Sequence, residues 1–308
     1  MGRYDPVRIF EGLTPERDHE LIYRLDCRYE FPFEIAVGTE LAQIHTFAIP
    51  TIGELLGSTG EFVNRPEKRS DDTALLLTEI LANGIESERG KRAVRRINRA
   101  HAPYSIRQDD FRYVLATFVV VTARFIDTYG WRPLSDIERT ALYVYYRRIG
   151  EHMAIGNIPR SYQEMADFLD DYEARFVGPS DGGQRVALAN RDRLARDLLP
   201  YVPLRLARAA VDALTPGHIR RALALPEAGA MTRAAVTAIL RIRGAGRRGW
   251  PIPPKPVGLF DFNWRRTYPD GYRIDQLGPA HLSAACPVVR RSWEPIPEAS
   301  DDRESNAR

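Results

Sequence analysis

Six histidines, His19, His45, His101, His152, His218 and His281, are the first residues in this sequence to test for chemistry. None stands in a His-Glu-x-x-His pair or a close cluster with metal-ligand spacing, so a zinc-hydrolase reading has no support. The serine nucleophile elbow, the phosphate-cradling Walker loop and the dinucleotide Gly-rich turn are also absent. His101 closes a segment, Ser87 to His101, that has two unlike faces. Arg92, Arg95, Arg96 and Arg99 fall on one side, while Val94, Ile97 and His101 recur at i, i+3 and i+7 on the other. A histidine on such an inward stripe can be a satisfied core residue or a cation favoured at a helix C-terminus. It can equally be the neutral imidazole that a non-covalent haem iron takes as its proximal ligand. Periodicity leaves all three open.

A second group lies in Arg65-Pro-Glu-Lys-Arg69-Ser-Asp-Asp72-Thr73. The spacing predicts a helix start capped by Ser70, with Asp71 and Asp72 in the first turn, where the helix dipole favours carboxylates. Capping accounts for Ser70, Asp71 and Asp72 but leaves Arg69 and Thr73 unexplained. An arginine, a carboxylate and a hydroxyl at one helix end can form a polar pocket for an oxygen species that gains negative charge. His45, in the apolar run Gln43 to Pro50, and His152, at the end of a helix, are further candidate haem ligands.

These residues need helices to position them, and helical periodicity covers the chain from residue 16 to about 244. Ser135-Asp-Ile-Glu138 and Ser161-Tyr-Gln-Glu164 read as capping boxes. Thr215-Pro216 reads as a cap followed by proline at the first helical position. A helix from about 109 to 128 is apolar nearly all round, which marks a central, buried element stopped by Gly130. No strand-and-turn alternation and no repeat of fixed period is found, so the expected fold is all-α. Two units are expected: a helical domain over 16–245, and an extension over 246–308. The extension holds a linker with Pro251, Pro253, Pro254 and Pro256, a Tyr268-Pro-Asp-Gly-Tyr272 turn, and a polar tail from Ser300 to Arg308.

The chain has 308 residues, 44% of them hydrophobic, enough to build a core and to exclude a disordered protein. Cys27 and Cys286 are too few for a disulfide scaffold, and no Cys-x-x-Cys-His motif is present, so any haem would have to be held non-covalently. No signal-peptide stretch and no run long enough to span a membrane is found, so a soluble, cytoplasmic protein is expected, with peripheral membrane contact left open. The net charge of +3 conceals a block, Gln184 to Gly249, that carries +9 against −6 in the remainder. Such a block can be a solvated face or can meet phosphates. No nucleic-acid motif stands beside it, so no nucleic-acid partner is expected.

An ordered series of stretches then carries a family resemblance. It runs through Phe47-Ala-Ile-Pro-Thr-Ile-Gly-Glu-Leu-Leu56, Arg69-Ser-Asp-Asp-Thr73, Ile97-Asn-Arg-Ala-His101 and Asp109 to Phe118. It continues in Tyr129-Gly-Trp-Arg-Pro-Leu134, Ile158-Pro159 and Tyr268 to Pro279. From about residue 20 to 280 the chain resembles the MpaB-type oxygenases, which share a helical haem-binding domain with latex clearing protein, the rubber oxygenase. The resemblance implies an all-α fold enclosing one haem b, with His101 as the iron ligand and Arg69, Asp72 and Thr73 as distal, catalytic candidates. Rubber oxygenase has a lysine where this chain has Asp72. Arg95 and Arg99 are candidate partners of the haem propionates, and His45 a further cofactor-binding candidate. The implied activity is a haem-dependent oxygenase that uses dioxygen to cleave carbon–carbon double bonds of an apolar, isoprenoid substrate. The alternative is a non-catalytic lipid- or isoprenoid-binding protein on the same scaffold.

Overall fold

In the computed structural model, residues 10–249, Val257 and 267–279 are described. The proline linker, most of the 246–308 extension and the Ser300 to Arg308 tail lie outside those residues. Thirteen α-helices and no strand occur among the described residues, as the all-α expectation requires. They are α1 Pro15–Leu25, α2 Pro32–Phe47, α3 Pro50–Thr59, α4 Glu61–Asn64, α5 Pro66–Asn83, α6 Glu88–His101 and α7 Gln108–Tyr129. There follow α8 Asp136–His152, α9 Tyr162–Phe176, α10 Asp181–Leu198, α11 Leu204–Leu214, α12 Gly217–Ala222 and α13 Ala230–Gly249. A π-helical turn at Asp26–Glu30 follows α1.

The apolar periodicity of α7 makes it the central helix. Leu115, Val119, Val120, Phe125 and Ile126 are all buried, and α7 packs along α2. Gly38 of α2 makes that approach possible, because a Cβ there would stand 2.9 Å from the Cα of Thr122. A second close contact joins α3 to α10. A Cβ on Gly57 would lie 2.6 Å from the Cα of Gly182, and one on Gly182 would lie 2.6 Å from the carbonyl oxygen of Gly53. Gly130 ends α7 as expected, its N–H closing on the Ile126 carbonyl.

The caps follow the sequence in part. Ser135 and Glu138 form both halves of a capping box. Ser161 accepts from the Glu164 N–H, but Glu164 turns to the N–H of Arg160 instead of completing the box. Ser70 is not a cap. Pro66 sits at the first helical position, where its missing N–H costs nothing, so α5 starts a turn earlier, with Arg65 at the N-cap. Ser70, Asp71 and Asp72 therefore lie in the second turn, and the Ser70 hydroxyl donates to Glu40 at 3.2 Å. Thr215 closes α11, its hydroxyl donating to the Val211 carbonyl, and Pro216 takes the N-cap of α12, so that pair is displaced by one position. Gly244 does not end the last helix. It is buried where α13 meets the end of α7, and a Cβ there would stand 2.7 Å from the Tyr129 carbonyl oxygen, so α13 runs on to Gly249.

Part of the positive block is turned inward, while Arg185, Arg196, Arg205, Arg221 and Arg241 stay exposed. Arg193 is buried, pairing with Glu40 and with Asp197, while Arg191 meets Asp192 and Asp212. Arg243 reaches Glu34, and Arg248 donates to the Trp131 carbonyl. Arg193 and Arg243 thus reach acids outside the block and Arg191 acids within it, pairings that the running charge sum does not reveal.

Segment 267–279 folds back on α5 and α6. The Tyr268 hydroxyl donates to Asp72, that of Tyr272 donates to Glu79 at 2.7 Å, and the Lys68 ammonium donates to the Gly278 carbonyl at 3.0 Å. The expected turn is present, with the Gly271 N–H on the Tyr268 carbonyl and Gly271 at φ 86°, a left-handed conformation that glycine adopts without penalty. This part of the extension is a structural component of the helical unit.

The α3–α10 contact sets a test. Gly182→Ala should destabilise the protein by about 1–3 kcal/mol, because backbone, not a yielding side chain, occupies the space. Urea unfolding of the two proteins, followed by far-UV circular dichroism, measures the difference.

Candidate active site

His101 stands in the last turn of α6, which is N-capped by Ser87. Its Nδ1–H donates to the Ile97 carbonyl at 2.8 Å, and its ring packs edge-on to Phe111, with centroids 5.4 Å apart. Burial lowers the imidazole pKa; the bond to Ile97 opposes this and the nearby charge of Arg69 adds to it. The ring is therefore neutral at pH 7, with its tautomer fixed by a backbone carbonyl. Its Nε2 is left without a hydrogen bond among the described residues. That is the form in which an imidazole ligates a metal.

Arg69 and Thr73 occupy successive turns of α5. The Arg69 guanidinium donates to the Thr73 hydroxyl, which in turn donates to the Arg69 carbonyl at 3.2 Å. Arg69 also lies over the ring of Phe62, 4.7 Å from its centroid. Burial lowers its pKa, opposed by the charges of Asp72 and Glu61, and no carboxylate forms an ion pair with it among the described residues. The fold thus brings Arg69, Thr73 and His101 into one neighbourhood walled by Phe62 and Phe111. Asp72 shares the helix, but its oxygens are taken by Lys68 at 2.7 Å and by Tyr268, so it docks segment 267–279. A lysine is thus present one turn before the position where rubber oxygenase carries one.

The other candidates are placed elsewhere. Arg95 and Arg99 project from α6 about 120° and 160° around the axis from His101 and line a different cleft, with Ile274 and Asp275. His152 lies at the end of α8, with Nε2 on Glu86 at 3.0 Å. His45 is buried and donates Nδ1–H to Glu173 at 2.6 Å.

Glu173 gathers a second cluster that spacing did not reveal. His218 Nε2 meets its other oxygen at 2.7 Å, and the Tyr113 hydroxyl donates to it at 3.0 Å. Glu173, His218 and Val177 help to line an open cavity of about 620 Å³. Burial pushes the carboxyl pKa up, but hydrogen bonds and charge from His45 and His218 prevail and bring it down to about 2. Because the carboxylate takes one ring nitrogen of each histidine, the trio is not a metal cage. No group of three or more His, Cys, Asp or Glu is arranged as one among the described residues. Phe111 and Tyr113 lie about 200° apart on α7, so that helix stands between the two histidine clusters. The partners Phe62, Phe111 and Glu173 come from four-residue α4, α7 and α9, and nothing local in the sequence ties them to His101 or His45.

Residues 36–245 match the family model described as "ER-bound oxygenase mpaB/B'/Rubber oxygenase, catalytic domain". The chain is 33% identical to the ER-bound oxygenase mpaB of Penicillium brevicompactum, over 57% of this chain and 50% of that protein. It is 32% identical to the mpaB of Penicillium roqueforti (strain FM164), over 57% of this chain and 65% of that protein. The chain therefore spans about half to two-thirds of the length of these curated relatives.

The depressed pKa of Glu173 gives a pH prediction. A carboxyl whose folded pKa lies below its unfolded value contributes stability above the unfolded pKa and loses it as pH falls through the folded one. Glu173→Gln should therefore be less stable than the parent by about 2–3 kcal/mol at pH 7. The gap should close as pH falls from about 4.5 to about 2. Urea midpoints across that range measure it, and a gap independent of pH would contradict the assignment.

Proposed function

Because the chain belongs to the mpaB and rubber oxygenase catalytic-domain family, we propose that it is a haem b-dependent oxygenase. It acts with dioxygen on an apolar, isoprenoid substrate and cleaves a carbon–carbon double bond. The observation that carries this reading is the state of His101: neutral, its Nδ1 proton held by Ile97 and its Nε2 without a partner. A neutral imidazole with one free ring nitrogen fits a haem iron, and haem when bound would supply the redox chemistry.

The chain's own residues do the rest. His101 Nε2 holds the cofactor, and the Ile97 carbonyl keeps the ring from turning. The Arg69 guanidinium, unpaired with any carboxylate, supplies N–H donors and positive charge toward developing negative charge on oxygen, where a dry setting strengthens them. Thr73 fixes the guanidinium through its hydroxyl. Phe62 and Phe111 keep water out of the neighbourhood. Asp72 acts indirectly, by holding segment 267–279 against α5. The relatives carry "ER-bound" in their names, whereas in this chain no helix among the described residues is long and apolar enough to cross a membrane. The accompanying proposal is a cytoplasmic enzyme that can touch a membrane at its surface.

Purified protein supplied with haem should show a Soret band that His101→Ala abolishes or shifts. Arg69→Ala should keep the band yet consume oxygen about a hundredfold more slowly with a polyprenyl alkene, the usual cost of losing one such donor. Absence of the band in the parent would overturn the haem reading. Prenyl binding without oxygen uptake would instead assign the scaffold to carriage of such chains.

A further inference from the structure

Arg92, Arg95, Arg96 and Arg99 share one face of α6 over about 10 Å of helix. Together with Ile274 and Asp275 they line a cleft of about 290 Å³. The opposite wall belongs to segment 267–279. It is fixed from beneath by Tyr268 on Asp72, Tyr272 on Glu79, and the Arg96 guanidinium on the Leu277 carbonyl. The cleft is thus built by the fold and is not merely an exposed stripe.

Its charge is unbalanced. Asp275 is the one acid in the lining among the described residues, and Arg273 grips both of its oxygens, at 3.1 and 2.6 Å. Arg92 lies within electrostatic reach of Asp275 but forms no ion pair with it. Neither Arg92 nor Arg99 has a hydrogen-bond or ion-pair partner among the described residues. Arg95 meets Glu88 only at 3.9 Å, with both side chains more than half exposed, a contact of little worth. Some arginines outside the cleft find acids: Arg132 joins Glu30 and Glu138, and Arg89 joins Glu79. Gathering Arg92, Arg95 and Arg99 with so few acids among the described residues costs repulsion, which an anion would relieve.

We propose that this cleft is a binding site for a phosphate-bearing anion, a phosphate monoester or diphosphate, on the face of α6 turned away from His101. Guanidinium forks at i, i+3 and i+7 offer paired N–H donors along two helical turns. A diphosphate, with several negative oxygens, uses that spread more fully than a single carboxylate does. The volume lies at the small end for small-molecule sites, about 300–1,000 Å³, and suits a headgroup. The inference is independent of the haem reading, because the lining does not include His101.

The test uses the purified full chain and the double variant Arg92→Gln/Arg99→Gln, whose side chains support no other contact among the described residues. Calorimetric titration with inorganic pyrophosphate should show binding that weakens with added salt and falls about tenfold or more in the variant. Sedimentation with phosphatidylcholine vesicles containing phosphatidic acid forms the second arm. Variant-sensitive binding to those vesicles, without binding of free pyrophosphate, supports the site with a lipid headgroup as the source. Binding of neither probe, or equal binding by parent and variant, overturns it. Loss of the Soret band in the variant would also overturn it, by assigning these arginines to the haem propionates.

Discussion

Gly38 lies so close to Thr122 that no side chain fits between α2 and α7, and that contact sets the geometry on which the rest of the helical unit depends. With α2 drawn in, α7 is enclosed by its neighbours, and its two sides face different polar clusters. Phe111 turns toward His101, and Tyr113 turns toward Glu173 and His45. A buried apolar helix is stiff because interiors are close-packed. The two clusters are therefore held apart by structure that has little room to yield.

Around this centre the fold relies on buried carboxylates met by arginine. Glu138 and Glu30 share Arg132, Glu34 meets Arg243, and Glu79 meets Arg89 and Tyr272. Burying such charges costs desolvation, and good geometry only offsets it, so these pairs are poor sources of net stability. Their effect here is positional. The Glu30–Arg132 and Glu34–Arg243 pairs join elements distant in sequence, and the contacts of Asp72 with Tyr268 and of Glu79 with Tyr272 bring segment 267–279 onto α5 and α6, where it walls the arginine cleft. Beside these matched charges, Arg69 stands out as half-buried and without an ion pair among the described residues, next to a neutral His101.

Much of the local structure was legible in the chain. The periodicity of residues 109–128 gave the central helix, Ser135 and Glu138 gave their cap, and Gly130 gave the stop, since each depends on interactions within a few residues. Ser70 misled because a serine followed by two aspartates is a good cap by itself, while Pro66, four residues earlier, had already begun the helix. Gly244 misled because the same residue type serves a helix end and a close helix crossing. The two-faced helix ending at His101 was visible. That its arginines face a cleft formed with Ile274 and Asp275 was not, because those residues are remote in the chain.

Residue order and periodicity were enough for the all-α class, the central helix, the inward side of His101 and, through ordered resemblance, the family. Those properties rest on periodicity and on residue types read in order. Only the tertiary structure decided which polar groups meet: Arg69 with Thr73 near His101, His45 with Glu173 and His218, and Asp72 with Tyr268. It also turned Arg191, Arg193 and Arg220 of the positive block inward. The reason is that a charge or an imidazole takes its protonation state and its role from partners within a few ångströms. Packing chooses those partners from anywhere in the chain, and local spacing carries no record of that choice.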